Sequence, residues 1–123
     1  MNYVLSSVTL YVQDIPTSKQ FYREKLGIPV DEEQSNDYFV MLRMNGDSLL
    51  MLQSAGMAPE GFSTRPGGAE IGFEMDDVDQ TYQEWKSRGV QMLNEPHDQP
   101  FGRTFNATDP DGHLLNVYRV RGQ

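Results

Sequence analysis

A chain of 123 residues and 14.0 kDa is the size of one domain, or of a tight pair of half-sized modules neither of which would bury enough surface to stand alone comfortably. Its 18 acidic against 10 basic side chains leave a formal charge of -8, which argues against nucleic acid as a partner, because that affinity depends on neutralising phosphates. The lack of cysteine removes disulfides, thiolate nucleophiles and zinc-thiolate sites, and no run approaches the roughly 18 apolar residues that a membrane span needs. A cytoplasmic location away from membranes is the default expectation.

Residues 3–12 alternate as a first strand, with Val4, Val8, Leu10 and Val12 mostly on one side and Ser7, Thr9 and Tyr11 on the other. Asp14, Thr17 and Ser18 are capping candidates for a helix that starts near Pro16, runs to about Leu26 and is closed by Gly27 and Pro29. A short edge strand over 28–33, a stronger one over 38–44, the turn Asn45-Gly46-Asp47 and a strand over 48–53 follow. The stretch 54–68 holds Gly56, Pro59, Gly61, Pro66 and Gly67 and reads as a linker, with Met57, Phe62 and Arg65 available to fold over a ligand or to hold the linker down.

The pattern then restarts. Ile71, Phe73 and Met75 share one face of a strand and Glu70, Gly72 and Glu74 the other, before Val78, Tyr82 and Trp85 recur with a helical period up to Gly89. A short strand over 90–93, a loop over 95–102, an extended stretch over 103–108, a turn at Asp109-Pro110-Asp111-Gly112 and a final strand over 114–120 complete the chain. Residues 15–22 and 78–85 have the same apolar spacing, each after an acidic residue and each closed by a glycine, which points to a duplication. The fold expected is α+β: two βαβββ modules, 1–55 and 69–123 joined by a linker at 56–68, forming a curved mixed sheet around a central groove.

If each helix covers one sheet face, strand parity assigns the other face to Ser7, Thr9, Tyr11, Leu49, Met51, Gln53, Glu70, Gly72, Glu74, Leu114, Asn116 and Tyr118. That mixture of polar and aromatic groups suits an organic ligand that stacks and makes a few hydrogen bonds. Glu70 and Glu74, four residues apart on one strand face with Gly72 between them, offer a general base or an attraction for a cation, with Glu70 the candidate catalytic residue. Arg103 is placed to meet a ligand anion, either glutamate, or a partner that merely holds its loop. His97 and His113 do not gather into a metal site, and Asp109, Asp111 and His113 lack the rest of a calcium loop, so they read as a turn.

With those residues in place, the chain resembles the vicinal oxygen chelate superfamily over nearly its whole length. This superfamily contains glyoxalases, ring-cleaving dioxygenases, epoxide-opening resistance enzymes and bleomycin-binding resistance proteins. The resemblance lies in Asp14-Ile15 and Phe21-Tyr22 through Leu26-Gly27, in Asp76-Asp77-Val78, and in Phe101-Gly102-Arg103 leading into Asp109-Pro110-Asp111-Gly112 and Leu114-Leu115. The ligand positions of the metal-dependent members carry over to Ser7, Met51, Glu70 and Asn116. Of these, only Glu70 is a strong ligand for a hard divalent ion. The resemblance therefore implies a member without metal or cofactor, a homodimer that binds a small organic ligand, cationic or aromatic. Tyr11, Tyr38, Phe62, Phe101 and Tyr118 join the expected lining. Two alternatives stand beside it: a lyase or transferase using Glu70 as base or a sparse metal site, and a protein-interaction module anchored by Met57 and Phe62.

Overall fold

The computed structural model describes residues 1–65 and 67–122; the expected breaker at Pro66 lies outside them. The chain divides into two compact units, Met1–Pro66 and Gly67–Gln123. In the first, β1 (Ser7–Val12), α1 (Ile15–Gln20), β2 (Val30–Asp31), β3 (Phe39–Leu42) and β4 (Leu49–Ser54) form a sheet of order β1-β4-β3-β2. In the second, β5 (Glu70–Glu74), α2 (Val78–Ser87), β6 (Gln91–Met92), β7 (His97–Gln99), β8 (Gly102–Thr108) and β9 (Leu114–Val120) form a sheet of order β5-β9-β8-β6, with β7 also paired to β8. The α+β architecture of two βαβββ modules expected from the sequence is the one observed.

The repeat extends to atomic detail. β1 runs parallel to β4, with Thr9 opposite Met51, as β5 runs parallel to β9, with Gly72 opposite Asn116. A parallel pair needs a crossover, and a helix supplies it in both units. Each helix is capped by an extended aspartate whose carboxylate accepts a backbone N–H three residues on: Asp14 from Thr17 and Asp77 from Gln80, both at 3.0 Å. The same hydrogen bonds hold the Asp14 carboxyl below its ordinary range, the Thr17 hydroxyl contributing most. Gly27 and Gly89 end the helices at φ 75° and 84°, where a side chain would be strained.

Alternation decides what each sheet buries. Leu10, Val12, Val40, Leu42, Leu50 and Leu52 lie on one face of the first sheet, all nearly inaccessible, as α1 packs on β3 and β4 and Ile15, Phe21 and Tyr22 of the helical segment are buried as well. In the second unit Phe73, Phe105, Tyr82 and Trp85 meet edge to face, with ring centroids 5.3 to 6.2 Å apart. That is the arrangement the ring quadrupole favours.

Several elements differ from expectation. The α-helical part of the first helix stops at Gln20, and Phe21–Lys25 continues as a π-helix in which the Leu26 amide reaches Phe21 O at 3.2 Å. The wider turn accommodates two consecutive buried rings, Phe21 and Tyr22, which pack edge to face at 5.2 Å. The first strand begins at Ser7, leaving Tyr3, Val4 and Leu5 exposed. The edge strand over 28–33 shrinks to two residues because Asp31 accepts the Gln34 amide and turns the chain into a 3-10 turn. The loop over 95–102 contains β7, whose polar residues carry no apolar alternation; pairing of His97 with Thr104 makes it a strand. No helix among the described residues is long and apolar enough to cross a membrane.

At Gly102 a Cβ would sit 2.0 Å from Arg119 O and 2.9 Å from Arg121 N, so the strands cannot stay in register around any side chain. Gly102→Ala should cost on the order of 3 kcal/mol in urea unfolding. Gly56→Ala, with nothing within 4 Å of the new methyl group, should change stability by less than about 0.5 kcal/mol.

Candidate functional site

The sheet face away from each helix is where polar and half-buried side chains collect. In the first unit it carries Ser7, Thr9 and Tyr11 of β1 and Leu49, Met51 and Gln53 of β4, as parity predicts, together with Phe39 and Met41 of β3, which register places beside Gln53 and Met51. Part of this face is engaged by the unit's own chain. Phe62 sets its ring 5.7 Å from that of Tyr11, and Gln53 Nε2 donates to Met57 O at 3.0 Å. Tyr38, just before β3, is more than half exposed.

In the second unit the corresponding face is more open. It carries Glu70, Gly72 and Glu74 on β5, Leu114, Asn116 and Tyr118 on β9, and Thr104, Asn106 and Thr108 on β8. Gly72 has a specific purpose here: a Cβ in its place would lie 3.2 Å from the Tyr118 ring, so the missing side chain is the space into which that ring leans. Phe101 packs edge to face with Tyr118, the ring centroids 6.4 Å apart. Glu70 and Glu74 flank Gly72, both are exposed, and neither carboxylate has a partner among the described residues. They offer negative charge beside an aromatic surface.

The amide side chains of this face form a relay. Asn116 Oδ1 accepts from Thr104 Oγ1 at 2.6 Å and from Asn106 Nδ2 at 3.4 Å; Asn106 Oδ1 accepts from Asn94 Nδ2 at 3.1 Å; and Asn94 Oδ1 accepts from the Asn106 backbone at 2.8 Å. Thr104, Asn106 and Asn94 are absent from the sequence-derived lining because β8 and its neighbours were placed without a register. The signal was the hairpin itself: a turn closing at Asp109 and His113 brings 106 opposite 116.

Arg103 lies on the other face. It donates to Asp79 of α2 at 2.8 and 2.9 Å and to Asp98 at 3.1 Å, so it braces the helix and β7 and does not pair with Glu70 or Glu74. Asp98, Gly102, Arg103, Arg119 and Arg121 line a pocket of about 280 Å3 on that side. Its charge is largely answered internally: Asp76 pairs with Arg119 at 2.9 Å, and Gln99 O accepts from Arg121 at 3.2 Å.

Asp109, Asp111 and His113 place one possible ligand atom each within 4.8 Å of one another. The carboxylate of Asp109 is nonetheless the hub of a turn: it accepts from the Asp111 amide at 3.0 Å and the His113 amide at 2.8 Å, and it meets His113 Nδ1 at 2.7 Å, with Asp109 and His113 both buried. The turn is further gripped at Gly67, where a Cβ would come 2.8 Å from Asp111 O. His97 is held by its own loop, Nδ1 lying 2.8 Å from Glu95 O.

A family model described as Glyoxalase/Bleomycin resistance protein/Dioxygenase superfamily matches residues 4–117. The chain is 33% identical over 117 residues to the phenazine antibiotic resistance protein EhpR of Enterobacter agglomerans, a match covering 88% of this chain and 85% of that one. It is 30% identical over 126 residues to YraH of Bacillus subtilis (strain 168), with 94% and 98% covered. A solution NMR structure of an Agrobacterium tumefaciens protein superposes with a TM-score of 0.80 at 35% identity, covering 99% of this chain and 100% of that one. A glyoxalase-related enzyme from Fulvimarina pelagi shares the fold, with a TM-score of 0.80 at 23% identity over 97% of this chain and 88% of that one.

The Arg103 hydrogen bonds hold the Asp79 carboxyl below its ordinary range. A depressed carboxylate adds stability above the unfolded value of about 3.9, and that stability disappears as the pH falls through the folded value. Asp79→Asn should therefore be slightly less stable than wild type at neutral pH, slightly because solvent screens the pair. The two melting curves should converge in acid below the ordinary carboxylate range, as followed by circular dichroism.

Proposed function

This chain belongs to the Glyoxalase/Bleomycin resistance protein/Dioxygenase superfamily, and from that membership we propose that it sequesters a small planar aromatic compound, cationic or neutral, without transforming it. The observation that carries the reading is the Tyr118 ring laid over Gly72 between two exposed glutamates whose carboxylates have no partner among the described residues. A flat ring beside fixed negative charge attracts a ligand by stacking and by its charge, and needs no reacting group. The likeness to a phenazine antibiotic resistance protein across most of both chains favours a planar ligand and a protective role.

A divalent metal fits the residues poorly. Of the positions that resemblance assigns to ligands, Met51 is a soft donor, Ser7 is a weak one, and the Asn116 oxygen already accepts two hydrogen bonds from its neighbours. Glu70 alone is a suitable ligand. Because Glu70 is exposed to solvent, it is assigned an electrostatic role toward the ligand and not that of a base. Ser7, Thr9, Tyr11, Tyr38, Met51, Gln53 and Phe62 are included in a proposed ligand surface of the first unit, Phe101 in that of the second, and a homodimer in the proposed assembly.

Calorimetric titration with a neutral phenazine and with a planar cationic dye tests the proposal. Tyr118→Ala should weaken both by about tenfold or more. Glu70→Gln should weaken the dye several-fold and leave the phenazine nearly unchanged, an effect that shrinks with added salt. Affinities unmoved by either substitution would remove the ligand from this face.

A further inference from the structure

The amide relay of the second unit determines which end of Asn116 a ligand meets. A backbone N–H can only donate, so the Asn94 atom that meets the Asn106 amide at 2.8 Å is its oxygen. The other end of Asn94 is then an NH2 group, and the Asn106 atom it reaches at 3.1 Å must be an oxygen. Asn106 in turn directs its NH2 at Asn116, 3.4 Å away, which makes the facing atom of Asn116 an oxygen as well. The Thr104 hydroxyl lies 2.6 Å from that same oxygen and 2.9 Å from Val117 O, so its single proton is shared between the two and the Asn106 NH2 group is what fixes the Asn116 oxygen. Three side chains are thus oriented in sequence from one main-chain group.

The consequence falls on Asn116 Nδ2. No described residue accepts from it, and among the described residues no polar side-chain atom is both buried and unpartnered, so this NH2 group opens onto the face. Gly72 lies opposite it with no side chain of its own, and the Tyr118 ring leans into the space that a side chain there would take. We propose that Asn116 is a specificity-determining hydrogen-bond donor, and that the ligand of this face is an aromatic carrying an acceptor in its perimeter, a ring nitrogen or a ring carbonyl. The inference rests on the aromatic-ligand reading above and narrows it. An amide free to rotate would serve donors and acceptors alike; one held by Asn106 and Thr104 rejects a ligand whose edge presents only C–H or N–H.

Aminophenazine and aminoanthracene share a tricyclic shape and an amino group and differ only in the two ring nitrogens, so their affinities isolate the acceptor. Wild type should bind aminophenazine roughly tenfold tighter than aminoanthracene. Asn116→Asp, which still accepts from Thr104 and Asn106 but cannot donate, should erase that preference, read as the ratio of the two affinities within the same variant. Asn94→Asp keeps the acceptor for the Asn106 amide and removes the donor that orients the relay. It should lower the preference several-fold and serves as the second variant if Asn116→Asp does not fold. Equal affinity for both compounds in wild type, or a preference that survives Asn116→Asp, overturns the inference while aromatic binding stands. Binding of neither compound overturns the aromatic-ligand reading, and the inference with it.

Discussion

The parallel pairing of the first strand with the last in each unit is the constraint from which the rest follows. β1 and β4 run the same way, as do β5 and β9, and a chain can join parallel neighbours only by crossing over one face of the sheet. The crossover is a helix, and its apolar side takes that face: α1 packs on β3 and β4 in the first unit, and Tyr82 and Trp85 pack on Phe105 in the second. The opposite face keeps whatever the alternating residues supply. Capping by Asp14 and Asp77 repeats because the same crossover has to begin at the same point in both copies.

The proposal of a metal-free site rests on what the second unit's open face supplies. Its carboxylates are separated by a glycine that a tyrosine ring overhangs, and its central amide has its oxygen tied down. Hard cations need several converging oxygens. Planar organic molecules need a flat apolar surface, a few oriented polar groups and a favourable field, which Tyr118, Asn116 and the paired glutamates offer together. The two units have diverged in just this respect, since Thr9 and Met51 stand where Gly72 and Asn116 do, and Phe62 of the adjoining segment rests on Tyr11. One side of the repeat is partly covered by its own chain, and the other is left open.

Other charged groups serve the fold. Arg103 draws Asp79 of α2 and Asp98 of β7 toward the edge of β8, and Asp109 gathers two amides and an imidazole into the last turn. Both looked chemically suggestive in the sequence. Loop carboxylates and arginines are commonly used in this way, because a turn that exposes several amide donors needs an acceptor close in sequence.

Much of this was legible from local pattern. The period of two in residues 70–75 and the helical period from Val78 separate the faces, and the Asn45-Gly46-Asp47 and Asp109-Pro110-Asp111-Gly112 turns place the hairpins, because face and turn depend on neighbours a few residues away. The π-helical end of the first helix and strand β7 were not legible: one answers to the packing of Phe21 against Tyr22, the other to a partner strand. The candidate site divides along the same line. Composition and parity alone determine that Glu70, Glu74, Asn116 and Tyr118 share an open face, whereas only tertiary structure decides that Tyr118 leans over Gly72, that Arg103 turns to Asp79, and that Asn94, Asn106 and Thr104 orient Asn116. Those contacts join segments up to 46 residues apart, counted from Gly72 to Tyr118. Strand register across such separations is set by the whole hydrogen-bonded ladder and not by any short stretch of sequence.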